Sequence, residues 1–154
     1  MVKGLMNPSA EFNATTGLML VLMDTGPWVA LVDRSEGRHK QCVEWLRDFR
    51  GNILSSEAVL TEVLYLLNFS PRAQSAAIDF VLNEAIMLVP SSLESLKRAN
   101  QLMEKYQNVP MDYADATLVC LAEDLVIQDI ATLDKKDFGI YRLPSNRSFR
   151  IFPL

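Results

Sequence analysis

The chain has 154 residues, of which 49% are hydrophobic and 22% are charged. This length supplies one domain with a sizeable core and is too short for two comfortable ones. A formal net charge of -4 argues against a protein that neutralises phosphates over its whole surface, although an acidic site and local basic patches can coexist within that average. One histidine and two cysteines cannot build a zinc finger.

The two cysteines, the short apolar stretches and the composition of residues 1–17 together predict a cytoplasmic protein. Cys42 and Cys120 each lie in a helical apolar pattern, which favours reduced thiols over a disulfide framework. No apolar stretch approaches the roughly 20 residues that cross a bilayer, so we expect no membrane partner. Residues 1–17 lack the apolar segment of a secretory signal. We interpret them as a disordered or non-native extension that precedes a domain at residues 18–154.

A short apolar run at residues 18–23 ends abruptly in Asp24. The run is too short for a core helix, so it predicts a buried strand in a sheet that is covered on both faces. Pro27 suits the first turn of the helix that follows. Ligands of open α/β sheets gather outside the carboxyl ends of the strands, which makes Asp24 a candidate site residue. The alternative is that Asp24 only caps the helix.

Glu62 belongs to the second half of a strand–helix unit. The run GNILSS predicts a strand, and Ser56 begins a helix that reaches about Asn68. Apolar residues cover more than half of this helix, which predicts that it is largely buried. Glu62 lies among them, where an acid is costly unless it meets a cation, a hydrogen-bond donor or a wet cleft. A salt-bridged or snorkelling acid is the structural alternative.

Two further helices surround this unit. The segment CVEWLRDFR has apolar residues at helical spacing and predicts a surface helix, and Pro71 begins a helix that runs to about Glu84. The lone histidine, His39, is either a solvated helix residue or a general base or RNA contact. The apolar helices between residues 57 and 84 also offer a surface for a dimer.

Three acids follow in the last third of the chain. After a third strand, AIMLVP, and a serine-capped helix, Asp112 precedes another helix and Asp115 lies one turn later. A spacing of three places both acids on one face, although the positive end of the helix dipole also gives them a structural reason to be there, and Asp112 is as readily explained as a cap. A fourth strand, at about residues 129–132, ends in Leu133 and Asp134, which repeats the arrangement at Asp24.

Strands that alternate with one or two helices indicate a parallel sheet in an α/β sandwich, with SFRIF as a final edge strand. Carboxylates that share one cleft repel each other unless a cation neutralises them, which predicts a divalent metal. Oxygen ligands favour Mg²⁺ or Mn²⁺. Such an ion can generate hydroxide and stabilise charge on a phosphoryl group, so the natural substrate is a phosphodiester. The chain lacks a P-loop, a glycine-rich dinucleotide fingerprint and a GxSxG elbow.

Four motifs in a fixed order carry a resemblance over about residues 19–152. They are MDTGPWVALVD with Asp24, LSSEAVLTEVLYLL with Glu62, MDYADATLVCLAE with Asp112 and Asp115, and IATLDKKDFGIYR with Asp134. In this order the chain resembles the PIN-domain family, and in particular its VapC-type toxin ribonucleases. The resemblance implies a PIN-like three-layer α/β sandwich with a central parallel sheet of about four or five strands flanked by helices. It also implies a metal-dependent endoribonuclease, commonly a homodimer that a small antitoxin inhibits.

The resemblance also assigns roles. It implies that Asp24, Glu62 and Asp115 hold the catalytic metal and that Asp134 is a variable fourth acid. Asp112 is a feature of only part of the family, and Thr132 matches a small hydroxyl residue that supports the site. Many relatives have a polar residue where this chain has Gly26, which leaves Thr25 as the local hydroxyl.

RNA contacts are expected from cations outside the acid cluster. They are Arg38, Lys40, Arg47 and Arg50 on one helix, and Lys135, Lys136, Arg142, Arg147 and Arg150 near the tail. For each of them a solvated face is the structural alternative. Two other functions stay open. One is a non-catalytic PIN-fold protein that binds RNA or a partner, and the other is an unrelated acid-rich α/β phosphatase or phosphoacceptor domain. A phosphatase of the haloacid-dehalogenase type needs a second Asp where this chain has Gly26.

Overall fold

The structure, a computed structural model, describes residues 19–153, so the extension predicted at residues 1–17 lies outside it. The strands are β1 (Met19–Met23), β2 (Gly51–Ser55), β3 (Ile86–Leu88), β4 (Asp129–Ala131), β5 (Arg142–Leu143), β6 (Arg147–Ser148) and β7 (Arg150–Phe152). The helices are α1 (Thr25–Val32), α2 (His39–Asp48), α3 (Glu57–Leu66), α4 (Pro71–Leu82), α5 (Leu93–Lys105), α6 (Tyr113–Leu125) and α7 (Lys135–Ile140).

A five-stranded parallel sheet of order β3-β2-β1-β4-β7 forms the centre of the described region. In the central strand β1, Val21, Leu22 and Met23 are all buried, and because successive side chains point to opposite faces, both faces of the sheet are covered. The predicted three-layer α/β sandwich is therefore confirmed, as is the edge strand in SFRIF. The hairpin of β5 and β6 is a separate antiparallel pair that the sequence reading missed.

The strand order reverses between β1 and β4. From β1 the chain adds β2 and β3 on one side, and it then returns to place β4 on the other side of β1. The backbone N–H of Asp24 donates to the carbonyl of Ala131 at 2.9 Å, so the ends of these two strands are tied together. In open α/β sheets the crevice at such a switch point is where ligands bind. Asp24 and Thr132 are the first residues beyond the two strands.

Aromatic side chains fasten the end of the chain to this frame. Phe138 on α7 packs edge-on against Tyr141 and Phe149, with ring centroids 5.1 and 5.6 Å apart. Trp28 on α1 is fully buried, and its indole N–H donates to the carbonyl of Ala77 at 3.3 Å. The short helix α7, which the sequence reading did not predict, is thus anchored from its buried side. No helix among residues 19–153 combines the length and the apolar character that a membrane crossing needs.

The prediction that the helix after Ser56 is largely buried is wrong. Within α3 only Val59 and Val63 are buried, whereas Tyr65 is 72% and Leu66 51% exposed. The apolar residues of α3 surround the helix, but α1, α4 and α6 cover only part of its circumference. The helix also ends at Leu66, two residues before the predicted end.

Candidate active site

Asp24 is held by the hydroxyl of Thr132. Its side chain is only 7% exposed, and Thr132 Oγ1 donates to Asp24 Oδ2 at 2.7 Å across the switch point. The carboxylate makes no side-chain capping bond of the usual kind to α1, and the backbone N–H of α1 that acts on it is that of Thr25, the first residue of the helix. Thr132 thus contacts the first acid, and its role in supporting a catalytic site stays a prediction.

Burial raises the pKa of Asp24 from 3.8 to about 6. The hydrogen bonds from Thr132 and from the backbone of Thr25 lower this pKa, and the negative charges of Glu62 and Asp112 raise it further. Removal from water penalises the charged form of a carboxyl group, and here it outweighs both donors. The ionised form of Asp24 is therefore less favourable in its buried position than in water, despite the two hydrogen bonds that it accepts.

Glu62 reaches the same site from α3. Thr25 Oγ1, at the start of α1, donates to Glu62 Oε2 at 2.9 Å. Partial burial is the main cause that raises the pKa of Glu62, the bond from Thr25 lowers it, and the neighbouring Asp112 raises it. Thr25, the local hydroxyl beside Gly26, thus donates to the second acid as Thr132 does to the first.

Asp115 lies in the first turn of α6 and is held by Tyr141. The phenolic hydroxyl of Tyr141 donates to Asp115 Oδ2 at 2.9 Å. Burial, followed by the charges of Asp24 and Asp112, raises the pKa of Asp115 from 3.8 to about 8, although the bond from Tyr141 acts against this. Burial and the charge of Asp115 also raise the pKa of Tyr141, which keeps its hydroxyl protonated as a donor. Nothing in the local sequence pattern signals this tyrosine.

Asp112 and Asp134 are exposed acids that cap helices. Asp112 Oδ1 accepts from the N–H of Asp115 at 2.8 Å, and Asp134 Oδ1 accepts from the N–H of Asp137 at 3.0 Å. The capping alternative for Asp112 is therefore correct, and Asp134 has the same structural function on α7. The N–H of Asp134 also donates to Thr132 Oγ1 at 3.0 Å, so one threonine hydroxyl connects Asp24 with this acid.

The five acids converge at one edge of the sheet, with no basic partner among the described residues. The ion pairs of residues 19–153 are Lys40–Glu44, Arg47–Asp48, Arg98–Glu123 and Arg150–Asp129, and none includes an acid of the cluster. The charges that act on Asp24, Glu62 and Asp115 come from other carboxylates. Such a site leaves its negative charge to be balanced by something outside residues 19–153.

The chemistry of these donors fits a divalent ion, although they are not preassembled around one. All are carboxylate oxygens, which suit Mg²⁺ or Mn²⁺ better than zinc or copper. As they stand, no group of three or more acids, histidines or cysteines within residues 19–153 could hold a metal ion. Because like charges push the carboxylates apart when no cation neutralises them, the fit rests on donor type and on unbalanced charge.

Gly26, where the resemblance implies a polar residue, lies close to the side chain of Leu133. A Cβ atom at this position would lie 3.2 Å from the Cβ and 3.3 Å from the Cγ of Leu133. Leu133 follows Thr132 in the turn after β4, so the start of α1 and this turn are in close contact. A larger side chain at this position would require Leu133 to shift.

The cations predicted to contact RNA lie in two different places. Lys135 and Lys136 follow Asp134 on α7 and are exposed beside the acids. Arg38 and Lys40 are at the start of α2, where Arg38 Nε donates to Gln41 and Lys40 pairs with Glu44. On the same helix His39 packs against α1, with its Nδ1 2.6 Å from the carbonyl of Ala30.

The remaining predicted cations are partly used by the fold. Arg150 pairs with the buried Asp129, Arg147 donates to the carbonyl of Pro144, and Arg50 donates to backbone carbonyls beside it. Arg47 is exposed beside Asp48. Arg142 donates to carbonyls at the end of α7.

Sequence reasoning also missed a bond that positions α3 against α6. The hydroxyls of Ser56 and Thr117, which are both buried, lie 2.7 Å apart. This bond joins the residue that caps α3 to the turn of α6 that follows Asp115, so it fixes the helices that carry the second and third acids.

The chain is similar to known proteins both in sequence and in structure. The family model of the PIN domain matches residues 21–143. Ribonuclease VapC26 of Mycobacterium tuberculosis is 25% identical over 135 residues, which are 86% of this chain and 100% of that protein. Among solved structures, VapC20 of M. tuberculosis, a sarcin-ricin loop cleaving toxin, has a TM-score of 0.70 at 21% identity over 76% of this chain and 92% of its own. VapBC2 of Rickettsia felis, bound to a promoter DNA fragment, has a TM-score of 0.61 at 16% identity over 88% and 100%.

Proposed function

Because the chain belongs to the PIN-domain family, we propose that it is a divalent-metal-dependent endoribonuclease and the toxin of a toxin–antitoxin pair. One observation carries the proposal: acids from several separate elements meet at the switch point of the sheet, and no cation of the described chain balances them. A cluster with this charge favours a divalent ion. The ribonuclease name of the curated relative is consistent with a phosphodiester substrate.

In this proposal Asp24, Glu62 and Asp115 hold Mg²⁺ or Mn²⁺, with Asp134 and Asp112 as acids at the rim. The bound ion would activate water and stabilise the charge that develops on the phosphoryl group. The residues of the chain orient the ligands: the hydroxyls of Thr132, Thr25 and Tyr141 each donate to one oxygen of one acid. Without metal the pKa of Asp115 lies near 8, so its carboxyl group is mostly protonated near neutral pH, and a cation bound beside it would favour the ionised form that serves as a ligand.

The same proposal includes partners. Solved relatives include a toxin–antitoxin complex from Klebsiella pneumoniae and a DNA-bound VapBC complex from Salmonella typhimurium, which supports an antitoxin as partner. A homodimer is supported by an exposed apolar surface on α3, α4 and their connection. It contains Tyr65, Leu66, Phe69 and Leu82, which are 72, 51, 66 and 70% exposed. Both cysteines are buried and unpaired, in keeping with a cytoplasmic protein.

The decisive assay incubates purified protein with labelled single-stranded RNA in Mg²⁺ or Mn²⁺ and, separately, in EDTA. We expect cleavage with metal, none in EDTA, and none by Asp24→Asn. Asp79→Asn, which changes an exposed acid on α4 outside the cluster, is the matched control and should cleave as the wild type does. Cleavage in EDTA, or full activity of Asp24→Asn, would contradict the proposed chemistry.

A PIN-fold protein that binds RNA or a partner without cleaving RNA is the second candidate. The toxin assignment and the cleavage of RNA are separate claims and are tested separately. The presence of all the predicted acids in one cluster favours an enzyme. RNA binding without cleavage in either metal would favour the binding protein instead. For the toxin assignment, expression of the chain alone should arrest growth, and a small antitoxin-like reading frame should lie beside its gene. The absence of both would remove that assignment and leave the nuclease.

A further inference from the structure

A basic groove lies on the surface between α5, the end of α6 and the β5–β6 hairpin. It is a cavity of about 480 Å³ lined by Arg98, Lys105, Glu123 and residues 142–146, the last of which include Arg142. Three positive charges and one negative charge give the groove a formal charge of +2, in a chain whose net charge is -4. The groove is therefore a local exception to the acidic surface.

Two of the three cations in the groove lack an acidic partner within residues 19–153. Arg98 is neutralised by Glu123, through bonds of 2.9 Å from Nε and 2.8 Å from Nη2. Lys105 and Arg142 appear in no ion pair of the described residues. Lys105 is exposed, with its ammonium 5.1 Å from the ring centroid of Tyr106. These two charges are available to an anion.

Arg142 is held in place by backbone carbonyls. Its Nη1 donates to the carbonyls of Gly139 and Ile140 at 2.6 and 3.1 Å, at the carboxyl end of α7. A cation at the end of a helix is favoured by the helix dipole. The contact uses one nitrogen of the guanidinium, and the planar group carries five N–H donors in all, so donors remain for a phosphate.

Two tyrosines connect the basic groove to the acid cluster. Tyr141, which donates to Asp115, packs edge-on against Tyr106 with ring centroids 5.1 Å apart. The hydroxyl of Tyr106 accepts from the backbone N–H of Arg142 at 2.9 Å. The groove thus begins directly behind the residue that orients Asp115. Arg142 directly follows Tyr141 in the chain, so one buried tyrosine separates the backbone of Arg142 from the carboxylate of Asp115.

We propose that the basic groove binds the phosphate backbone of the RNA strand on one side of the cleaved bond, with Lys105 and Arg142 as the phosphate contacts. This inference rests on the proposed ribonuclease function. The acids repel phosphates that flank the reacting one, and cations beside the cluster offset that repulsion. Among residues 19–153 the groove is lined by no aromatic side chain, so we expect phosphate contacts rather than base stacking and a contribution that is independent of RNA sequence.

The test measures binding of a fluorescent single-stranded RNA by anisotropy in EDTA, where no cleavage is expected, over a series of salt concentrations. Lys105→Ala should weaken binding several-fold and lower the slope of log affinity against log salt by about 0.7, the value for one phosphate contact on a single strand. Lys105→Ala with Arg142→Gln should lower it further. Two RNAs of unrelated sequence should be affected alike. Lys97→Ala, an exposed lysine on α5 outside the groove, is the matched control.

The results of these binding and cleavage experiments either support or overturn RNA binding by the basic groove. Equal salt slopes for Lys105→Ala, Lys97→Ala and the wild type would overturn the groove, and so would a wild-type protein that binds neither RNA. If RNA binding is unchanged but binding of polyglutamate is lost, the groove recognises an acidic polypeptide instead, which also overturns the proposal. If the protein binds RNA through the groove but does not cleave it with metal, the groove is supported and the nuclease function is refuted. If the groove variants bind RNA as the wild type does and RNA is cleaved with metal, the groove is refuted and the nuclease function is supported.

Discussion

Neutralising Asp115 should stabilise the metal-free protein while it abolishes RNA cleavage. The folded protein raises the pKa of this acid from 3.8 to about 8, chiefly by burial. At about 1.4 kcal/mol for each pKa unit, the full shift corresponds to about 6 kcal/mol of lost stability, of which about 5 kcal/mol is present at pH 8, where the folded group is half titrated. Solvent screening of a partly buried group reduces this to roughly 2 kcal/mol. Asp115→Asn removes the charge and keeps an amide oxygen that accepts from Tyr141.

The sign of the pH dependence follows from the raised pKa. The protonated form of Asp115 is favoured in the folded state, so its contribution is fully present below the unfolded pKa of about 3.9 and is lost as pH rises through about 8. In EDTA at pH 8 we therefore expect Asp115→Asn to unfold about 4–8 °C above the wild type, given about 2–4 °C for each kcal/mol in a chain of this size. At pH 5 the difference should shrink to roughly a quarter.

Thermal unfolding in EDTA at pH 5 and pH 8 provides the measurement, with Asp79→Asn as the control for loss of an exposed acid. The predicted destabilisation by the charge of Asp115 is refuted if the melting temperature of Asp115→Asn is no higher than that of the wild type at pH 8. It is also refuted if the difference in melting temperature is equal at both pH values. Either result would mean that the folded protein already balances the charge of Asp115. Loss of cleavage in the same variant, alongside higher stability, would separate a chemical function from a structural one.

Four further predictions concern the same site and its surroundings. Addition of millimolar Mn²⁺ at pH 8 should raise the melting temperature of the wild type and should do so much less for Asp24→Asn, as read by differential scanning fluorimetry; an equal rise would place the ion elsewhere. Thr132→Val leaves the buried Asp24 without this donor, so urea titration should find about 1–3 kcal/mol less stability; an unchanged midpoint would refute the role of the bond. Gly26→Ala should cost about 1 kcal/mol through its contact with Leu133, and Leu133→Ala should remove that penalty in a double-mutant cycle; additive effects would contradict the steric reading. Leu82→Lys should shift a dimer towards monomer in light scattering if the exposed apolar surface on α4 forms the interface, and an unchanged mass would exclude it.

The sequence was sufficient to predict the strands and the acids that follow them. Apolar runs of about five residues that end in turn signals identify buried strands, and those of β1, β2 and β4 lie where expected. The parallel arrangement then follows from the helices between them, because parallel neighbours need a crossover connection. Once the strands are parallel and adjacent, their carboxyl ends lie at one edge of the sheet. Asp24 and Asp134 can therefore be placed at that edge without predicting any long-range contact.

The donors to those acids were harder to predict, because a local pattern says nothing about partners that are distant in sequence. Tyr141 reaches Asp115 across 26 residues, and Ser56 meets Thr117 across 61. Neither pair shares a helix face or a strand register. The prediction that α3 is largely buried was wrong for a related reason. Apolar periodicity identifies a face that can be covered, but whether another element covers it depends on the tertiary arrangement.

Helix dipoles are too weak to balance the charge of the acid cluster. The amino ends of α1 and α6 point at the cluster, since Asp24 and Asp112 directly precede them. Each such end is worth about 0.3–1 kcal/mol to a nearby anion. The displaced pKa of Asp24 alone, about 6 against an ordinary 3.8, corresponds to about 3 kcal/mol of destabilised charge. The pKa already reflects the hydrogen bonds from Thr132 and from the backbone of Thr25, so these donors do not close the difference. A doubly charged ion is the simplest species that would, which is why binding of metal should raise stability most at the pH where the acids are ionised.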